Sequence, residues 1–383
     1  MAAKKDSLTL DILDKVLECN KKERLETHFI ETGNIGFDLG FSNGLGLAEG
    51  SSALFWADAG IGKTTLVGDI CRRLLDKAHN AGTPFRVLYI ATENSKELLK
   101  DLGLEKYMVS RDFLYLGETQ ICWRDIEKLY TAAILGTKKG FENIKLIVID
   151  SVNTVLSDAN KDKSGADGDF GSKAKERSNF YAKYLPLCSE KGITSFFISQ
   201  ARQKQDAGMY EDSKKAAVSF ADRHTVEVIF KCTKKAFRTG DGKVKIKTVN
   251  GDYIEERKYI LTLNSSATDC KNRFCKGLPS EILMIRGEGA DNSYPLRKLL
   301  EFNGYIKAKG AWYTFDSEIV QLIKAPENNL RLSAVDDCIK NNMGTLVEFL
   351  KERGQYRIDS PEVEYVADEE SDVPEVAEEA ADE

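Results

Sequence analysis

The sequence predicts an α/β fold in which a mostly parallel sheet is covered by helices on both faces and is followed by a small C-terminal α/β domain. Two observations carry this prediction. Apolar segments of strand length alternate with segments of helical periodicity through most of the chain. The strand segments are also almost continuously apolar, which is typical of strands buried on both faces of a parallel sheet.

The predicted strands are short apolar runs, and the segments between most of them have the periodicity of helices. Helices are predicted after residue 63, ending near "HNAG", and over residues 122–135 and 172–188. A short leading helix is predicted over residues 7–26. The strand segments are "SSALFWA" (51–57), "FRVLYIA" (85–91), "NIKLIVID" (143–150), "ITSFFIS" (193–199), "TVEVIFKC" (225–232) and "KYILTLN" (258–264).

The same pattern divides the chain into four predicted regions. Residues 1–30 form an N-terminal helical or oligomerisation segment, and residues 31–287 form the core. A small C-terminal domain over 288–357 precedes a disordered acidic tail over 358–383. Within the core, the polar segment 237–258 predicts a hairpin that decorates the sheet, with turns at Gly240–Gly242 and Asn250–Gly251.

Composition indicates an intracellular protein. No run approaches the roughly 18 apolar residues of a membrane span, and the N-terminus lacks the pattern of a secretory signal. The eight Cys residues show no zinc-binding spacing, and the chain has only three His residues. We therefore expect reduced thiols, no structural metal site, no membrane association and a cytoplasmic location.

The net charge of −6 hides an uneven distribution. Residues 359–383 contain 12 acidic residues and no Lys or Arg, which leaves 49 acidic against 55 basic residues in the body of the protein. A mildly basic body with an acidic tail is typical of a protein that meets a polyanion. The alternative, that the tail only maintains solubility, is equally compatible with this composition.

The segment "ADAGIGKTT" at residues 57–65 has the pattern of a phosphate-binding loop, although Ala57 replaces its first Gly. Such a loop directs backbone N–H groups and a helix N-terminus at phosphates, with a Lys charge and a hydroxyl for Mg²⁺. Ala can adopt most backbone conformations except positive φ, so the loop need not be lost. The predicted ATP-binding residues are Asp58, Ala59, Gly60, Ile61, Gly62, Lys63, Thr64 and Thr65.

Three polar residues follow predicted strands at the same sheet edge. Asp150 ends "KLIVID" and is predicted to hold Mg²⁺ together with Thr64. Glu93 follows "VLYIAT" and could activate water, or it could only cap a helix. Gln200 follows "SFFIS" and could contact a terminal phosphate, or it could be a solvated strand end.

These motifs occur in the order found in the RecA family of recombinases, which the sequence resembles over roughly residues 30–320. "LYIATENSKELLKDLGL" resembles the segment with the glutamate general base, here Glu93, and "NIKLIVIDSVNTVL" resembles the Asp-Ser-Val strand end. "TSFFISQARQK" resembles the strand with the γ-phosphate-sensing Gln, here Gln200. "EILMIRGEGA" and "LLEFNGYIKAKGAWYTF" are similar to the C-terminal domain of bacterial RecA and phage UvsX-type recombinases.

The resemblance implies two DNA-binding loops, one after the strand ending in Asp150 and one after Gln200. Both corresponding segments are polar, contain Gly and are rich in Lys and Arg, as segments that contact phosphates should be. Each basic residue taken alone is better explained as a solvated loop charge, so the prediction depends on the loops as a whole. The predicted DNA-binding residues are Lys173, Lys175, Arg177, Arg202, Lys204, Tyr210, Lys214 and Lys215.

The sequence also departs from the resembled family. Bacterial RecA has two lysines around an Asn that reach the phosphates of a neighbouring subunit, whereas Leu263 and Ser265 flank Asn264 here. Three nearby basic residues are candidates to replace those lysines: Lys271, Arg273 and Lys276.

The resemblance thus implies an ATP- and Mg²⁺-dependent, DNA-stimulated ATPase. It would form helical filaments on single-stranded DNA and exchange strands with duplex DNA. The resemblance is to the phage type, and if a phage encodes the chain, its location is the host cytoplasm. A single-strand-binding protein or a loader is a candidate partner of the acidic tail. Two alternatives remain open from the sequence. One is a ring-forming motor or helicase with the same core, and the other is a nucleotide-binding, DNA-binding module with little turnover.

Overall fold

The computed structural model describes residues 27–158, 170–203, 214–216, 220–237, 243–248, 251–326 and 329–358. The predicted helix over 7–26 and acidic residues 359–383 lie outside these ranges. The strands are β1 (Phe29–Ile30), β2 (Leu47–Ala48), β3 (Ser52–Ala57), β4 (Arg86–Ala91), β5 (Phe113–Gly117), β6 (Ile144–Asp150), β7 (Thr194–Gln203), β8 (Lys214–Ala216), β9 (Val228–Ala236), β10 (Lys243–Thr248), β11 (Gly251–Glu256), β12 (Lys258–Asn264), β13 (Lys271–Asn272), β14 (Ser280–Ile285), β15 (Gly289–Asp291), β16 (Ile306–Lys309), β17 (Trp312–Phe315) and β18 (Leu330–Arg331).

Helices occupy most of the segments between these strands. Of the segments predicted as helices, those after residue 63, over 122–135 and over 172–188 are helical, and each differs from its predicted bounds by a few residues at most. The helices are α1 (Ile35–Ser42), α2 (Lys63–Ala81), α3 (Lys96–Asp101), α4 (Glu105–Ser110), α5 (Trp123–Leu135), α6 (Phe170–Lys191), α7 (Phe220–Thr225), α8 (Ser293–Phe302), α9 (Ser317–Ile323), α10 (Leu332–Asn341) and α11 (Met343–Glu352).

A large central sheet organises the described part of the chain. Its strand order is β15-β14-β12-β9-β3-β7-β6-β4-β5, with β13 paired to β9 and β8 paired to β7. The strands from β9 to β5 in this order are parallel to their neighbours, which confirms the predicted α/β fold with a mostly parallel sheet. Strands β12, β14 and β15 extend one side of the sheet by antiparallel pairing.

Each face of the central sheet packs against helices. On one face, α1 and α2 cover a core that includes side chains from β3, β4, β6, β7, β9, β12 and β14. On the other face, α5 and α6 cover a second core rich in aromatic rings, among them Trp123, Tyr130 and Phe180. Because both faces are buried, the strands are apolar almost throughout, as the sequence pattern predicted.

The segment after the central sheet forms a smaller cluster with its own apolar core. The three-stranded sheet β16-β17-β18 packs with α8, α9, α10 and α11, and Ile35 and Leu39 of α1 join this cluster. Strand β15 still pairs with β14, so the central sheet continues a few residues past the predicted boundary at 287. The domain boundaries themselves stay predictions.

The polar segment 237–258 contributes the antiparallel pair β10–β11, in which Thr248 lies opposite Gly251. Gly251 already belongs to β11, one residue earlier than a turn at Asn250–Gly251 predicts, and residues 238–242 and 249–250 lie outside the described ranges, so both predicted turns stay predictions. Among the helices in the described ranges, none is long and apolar enough to cross a membrane.

Candidate nucleotide-binding site

The predicted phosphate loop connects β3 to the N-terminus of α2. The ammonium group of Lys63 folds back over the loop, where Nζ donates to the main-chain oxygens of Ala57 (3.0 Å) and Asp58 (2.7 Å). Burial lowers the pKa of Lys63, and the carboxylates of Asp150 and Glu93 partly offset that effect. The buried amine is therefore held at the helix start, where backbone N–H groups are available to an anion.

Two glycines give the loop its shape. Gly60 and Gly62 have φ values of 74° and 108°, a region that L-amino acids with a side chain rarely adopt. At Gly62, a Cβ atom would also lie 2.4 Å from the hydroxyl of Tyr259. Gly62 is therefore required both by its backbone conformation and by the close approach of β12.

Ala57, which replaces the first Gly of the motif, is the last residue of β3. It lies opposite Gln200 in the parallel pairing with β7 and is buried in the core. Its φ is not positive, unlike those of Gly60 and Gly62. Because an extended strand residue needs no glycine, the substitution leaves the loop geometry intact.

We therefore expect Ala57→Gly to leave ATP affinity within about twofold of wild type and to lower the free energy of unfolding by roughly 1 kcal/mol, because Gly is more flexible in the unfolded chain and lacks the buried methyl group. Equilibrium ATP binding and urea unfolding would check both effects. A large gain in affinity in this variant would show that Ala57 does impair the loop.

Asp150 lies beside the loop at the end of β6. Its Oδ2 accepts hydrogen bonds from the Thr64 hydroxyl (2.9 Å) and the Tyr89 hydroxyl (2.7 Å). Burial raises the pKa of Asp150, and these two hydrogen bonds and Lys63 partly counter the rise. A carboxylate and a hydroxyl in contact fit a Mg²⁺ ion, which prefers oxygen ligands and would compensate the buried charge. This pair is therefore suited to the metal predicted from the sequence.

Glu93 and Gln200 meet on the same side of the loop. The exposed Glu93 carboxylate accepts from the Gln200 amide (2.8 Å) and from the Ser151 hydroxyl (3.0 Å) through Oε1. The main-chain N–H of Gln200 donates to Asn153 Oδ1 (2.8 Å), which fixes the end of β7. The structure thus brings the predicted base, the predicted phosphate sensor and the metal-binding pair to one edge of the sheet.

These residues line a cavity of about 510 Å³. Asp58 and Ile61 are not in its lining, since Asp58 contributes its carbonyl to Lys63 and Ile61 packs against the core. The lining comprises Ala59, Gly60, Gly62, Lys63, Thr64, Thr65, Glu93, Leu98, Asp101, Leu102, Asp150, Ser151, Ile198, Gln200, Lys234, Tyr259, Arg286 and Gly287.

Sequence reasoning missed part of this lining. Leu98, Asp101 and Leu102 belong to α3 and its end, a helix inside the segment that resembles the family's base-bearing region. Lys234, Tyr259 and Arg286 come from the β9–β12–β14 side. Arg286 lies in "EILMIRGEGA", which from sequence is interpreted only as similar to the C-terminal domain, and the pattern of the strand segments gives no clue that Lys234 and Tyr259 line the cavity.

The residues predicted to contact DNA lie on two elements near the site. Lys173, Lys175 and Arg177 are on α6, where Lys175 is exposed and Arg177 is buried. Strand β7 continues past Gln200 to Gln203 and pairs with β8, so that the backbone of Arg202 lies opposite Lys215 and that of Gln203 opposite Lys214. Lys204 and Tyr210 lie outside the described residues.

The candidates for cross-subunit contacts occupy another part of the sheet. Lys271 pairs with Ile229 in β9, and Ile229 in turn pairs with Leu54 in the middle of β3. This position is away from the end of β3 that leads into the phosphate loop. Arg273 follows Lys271 and donates to the His224 carbonyl (3.4 Å). These residues are therefore remote from the chain's own phosphate loop, and their predicted action on a neighbouring subunit stays a prediction.

Comparisons with known proteins agree with this fold. Residues 44–206, which include the phosphate loop, Glu93, Asp150 and Gln200, match the AAA domain family. The chain is similar to the DNA repair protein RadA of Halalkalibacterium halodurans, at 30% identity over 199 residues that make up 51% of this chain and 38% of that protein. It is also similar to the protein RecA of Gluconobacter oxydans, at 22% identity over 310 residues that cover 79% of each chain.

The RadA match spans well under half of that relative's length, so RadA supports the core and not the whole protein's activity. The RecA match extends over most of both chains. The chain therefore has a fold consistent with a RecA-like P-loop ATPase core and is similar in sequence to RadA and RecA.

Proposed function

We propose that the protein is an ATP-dependent DNA recombinase, which assembles on single-stranded DNA and promotes homologous pairing and strand exchange. The observation that carries this proposal is the path of β7. The strand holds Gln200 against Glu93 in the cavity and runs without a break to Gln203, where it pairs with the basic strand β8. A change at the nucleotide site therefore has a short, rigid connection to a segment with the charge of a DNA-binding surface.

The residues around the cavity suit ATP hydrolysis. ATP bound with Mg²⁺ supplies the phosphoryl group, and Thr64 and Asp150 would hold the ion. Lys63 and the N-terminus of α2 would neutralise phosphate charge. Glu93 would orient a water molecule and take its proton, since its carboxylate is exposed to the cavity and is held from one side by Ser151.

Gln200 is suited to couple the nucleotide to DNA. Its amide now donates to the Glu93 carboxylate, and a terminal phosphate nearby would offer a competing acceptor. A shift of this side chain would move the end of β7 and, with it, the pairing with β8. ATP would thus favour the DNA-gripping arrangement, and hydrolysis would release it.

The RadA and RecA relatives support this choice of reaction class. The proposed partners of this protein are DNA and further copies of the same chain in a filament. A single-strand-binding protein or a loader is a further proposed partner, at the acidic residues 359–383. The nucleotide-binding module with little turnover is less well supported, because Ala57 leaves the loop intact and the Lys63, Thr64, Glu93, Asp150 and Gln200 set is complete.

Strand transfer between a labelled duplex and a homologous single strand tests the proposal. We expect joint molecules with ATP, none with ADP, and helical filaments on the single strand in electron micrographs. A heterologous single strand is the matched control and should yield no joint molecules. Closed rings that unwind a tailed duplex, without joint molecules, would instead identify a ring-forming motor.

A further inference from the structure

The nucleotide cavity has a second wall, opposite Asp150 and Glu93, which neither the phosphate loop nor the strand ends at Glu93, Asp150 and Gln200 supply. It consists of Lys234 on β9, Tyr259 on β12 and Arg286 just after β14. Strand β3 and the phosphate loop lie between the two walls, because β7 flanks β3 on one side and β9 flanks it on the other. The loop is thus bordered by carboxylates on one side and by cations on the other.

The strand registers place this wall on the same face of the sheet as the phosphate loop helix. Cys232, Tyr259 and Met284 all pack in the core beneath α2. Since side chains alternate between faces, Lys234 and Arg286, two residues beyond Cys232 and Met284, point to that same face. Antiparallel pairing of β12 with β9 brings Tyr259 to the edge where β3 ends.

Tyr259 connects Lys234 to the phosphate loop. The Lys234 ammonium lies 4.4 Å from the centre of the Tyr259 ring, a cation–π distance. The hydroxyl of the same ring lies against Gly62, where it leaves no room for a Cβ atom. The buried ring therefore fixes a half-buried amine at a constant position relative to the loop.

We propose that Lys234 is a second phosphate-binding cation, supplied by the same chain that carries the loop, and that Tyr259 positions it. This inference rests on the proposed binding of ATP in the cavity. The ligand it recognises is the polyphosphate of a nucleoside di- or triphosphate and not the base or the sugar.

The charge balance of the cavity supports this role. Lys63 is the cation of the loop itself, and two of its hydrogen bonds already go to main-chain oxygens. Glu93 and Asp150 add negative charge on the other wall, of which a Mg²⁺ ion at Asp150 would offset only a part once a polyphosphate is bound as well. A further cation that faces the polyphosphate would therefore stabilise it.

The experiment compares Lys234→Met with Lys235→Met. Methionine retains an apolar stem that can pack on Tyr259, and the adjacent Lys235 is an exposed residue paired with Glu281 (3.0 Å) outside the cavity. Binding of fluorescent ATP, ADP and AMP is measured with each full-length variant. We expect Lys234→Met to weaken ATP and ADP binding by about 10-fold or more and AMP binding by less than about twofold, whereas Lys235→Met should match wild type throughout.

Two further variants separate binding from structural damage. Lys234→Arg should restore most of the affinity for ATP, because a cation returns to the same wall. Tyr259→Phe should bind ATP nearly as wild type does, since the ring is retained, whereas Tyr259→Leu should lose affinity in the same ligand order as Lys234→Met. If Lys234→Met weakened all three ligands equally, Lys234 would have a structural role and the inference would be wrong.

The outcomes also separate this inference from the proposed function. If wild type binds no ATP, or binds it equally well after Lys63→Ala, the proposed nucleotide site itself is wrong. If binding requires Lys63 but Lys234→Met and Lys235→Met have the same affinity for ATP, only the role of Lys234 is overturned.

Discussion

Replacing Glu93 with Gln is expected to lower the ATP hydrolysis rate by about 100-fold or more, because a positioned general base typically contributes about 10²–10⁴-fold. Gln retains the shape of the side chain and can still accept hydrogen bonds from Ser151 and Gln200. It cannot take a proton from water. ATP affinity should therefore remain within about threefold of wild type, since the loop and the metal-binding pair are unchanged.

Phosphate release and equilibrium ATP binding measure the two effects separately. Glu97→Gln is the matched control, because Glu97 is exposed on the following helix, pairs with Lys100 (3.1 Å) and does not line the cavity. The proposed cycle adds a further expectation, that complexes of the Glu93→Gln variant with ATP and single-stranded DNA dissociate more slowly than those of wild type. Full hydrolysis activity in this variant would exclude Glu93 as the base.

Lys63→Ala is expected to abolish the dependence of DNA binding on nucleotide. The substitution removes the cation of the phosphate loop and its two hydrogen bonds to main-chain oxygens, so both the charge and the closed shape of the loop are lost. We expect ATP affinity to fall by about 100-fold or more, because charge-assisted contacts with phosphate are among the stronger ones in proteins.

Fluorescence anisotropy of a labelled single strand, with and without ATP, measures this dependence. Lys77→Ala is the control, because Lys77 is an exposed lysine near the other end of α2 that donates to the Glu31 carbonyl (3.2 Å). If the Lys63→Ala variant formed filaments on DNA with ATP as readily as wild type does, the proposed mechanism would be contradicted.

Much of the site could be predicted from sequence because its parts are local. A phosphate loop is a contiguous segment, and parallel strands bring their C-terminal residues to one edge whatever their order in the sheet. Asp150, Glu93 and Gln200 could therefore be placed together before any coordinates were known. The almost continuously apolar composition of the strand segments predicted their burial for the same local reason.

The opposite wall could not be predicted, because its position depends on register between antiparallel strands far apart in sequence. Tyr259 reaches the loop only because β12 pairs with β9 so that Leu261 lies opposite Lys234. A shift of one residue would turn Tyr259 to the other face. Strand β5 was missed for a different reason, since it is a short edge strand whose side chains are only partly buried.

The structure of the segments proposed to bind DNA could also be predicted only in part from the sequence. The sequence indicated a loop after Gln200, but β7 continues to Gln203 and pairs with β8. Polar strand residues near a sheet edge resemble loop residues in composition, so the extension has no apolar pattern to reveal it. That extension is the physical connection on which the proposed coupling depends.

The most direct test of the central claim is the affinity of the wild-type protein for single-stranded DNA, measured with a non-hydrolysable ATP analogue and Mg²⁺, with ADP and Mg²⁺, and with no nucleotide. We predict that the analogue tightens DNA binding by about 10-fold or more, which is the coupling free energy of about 1–3 kcal/mol expected between two linked sites. DNA affinity that is the same in all three conditions would contradict the account.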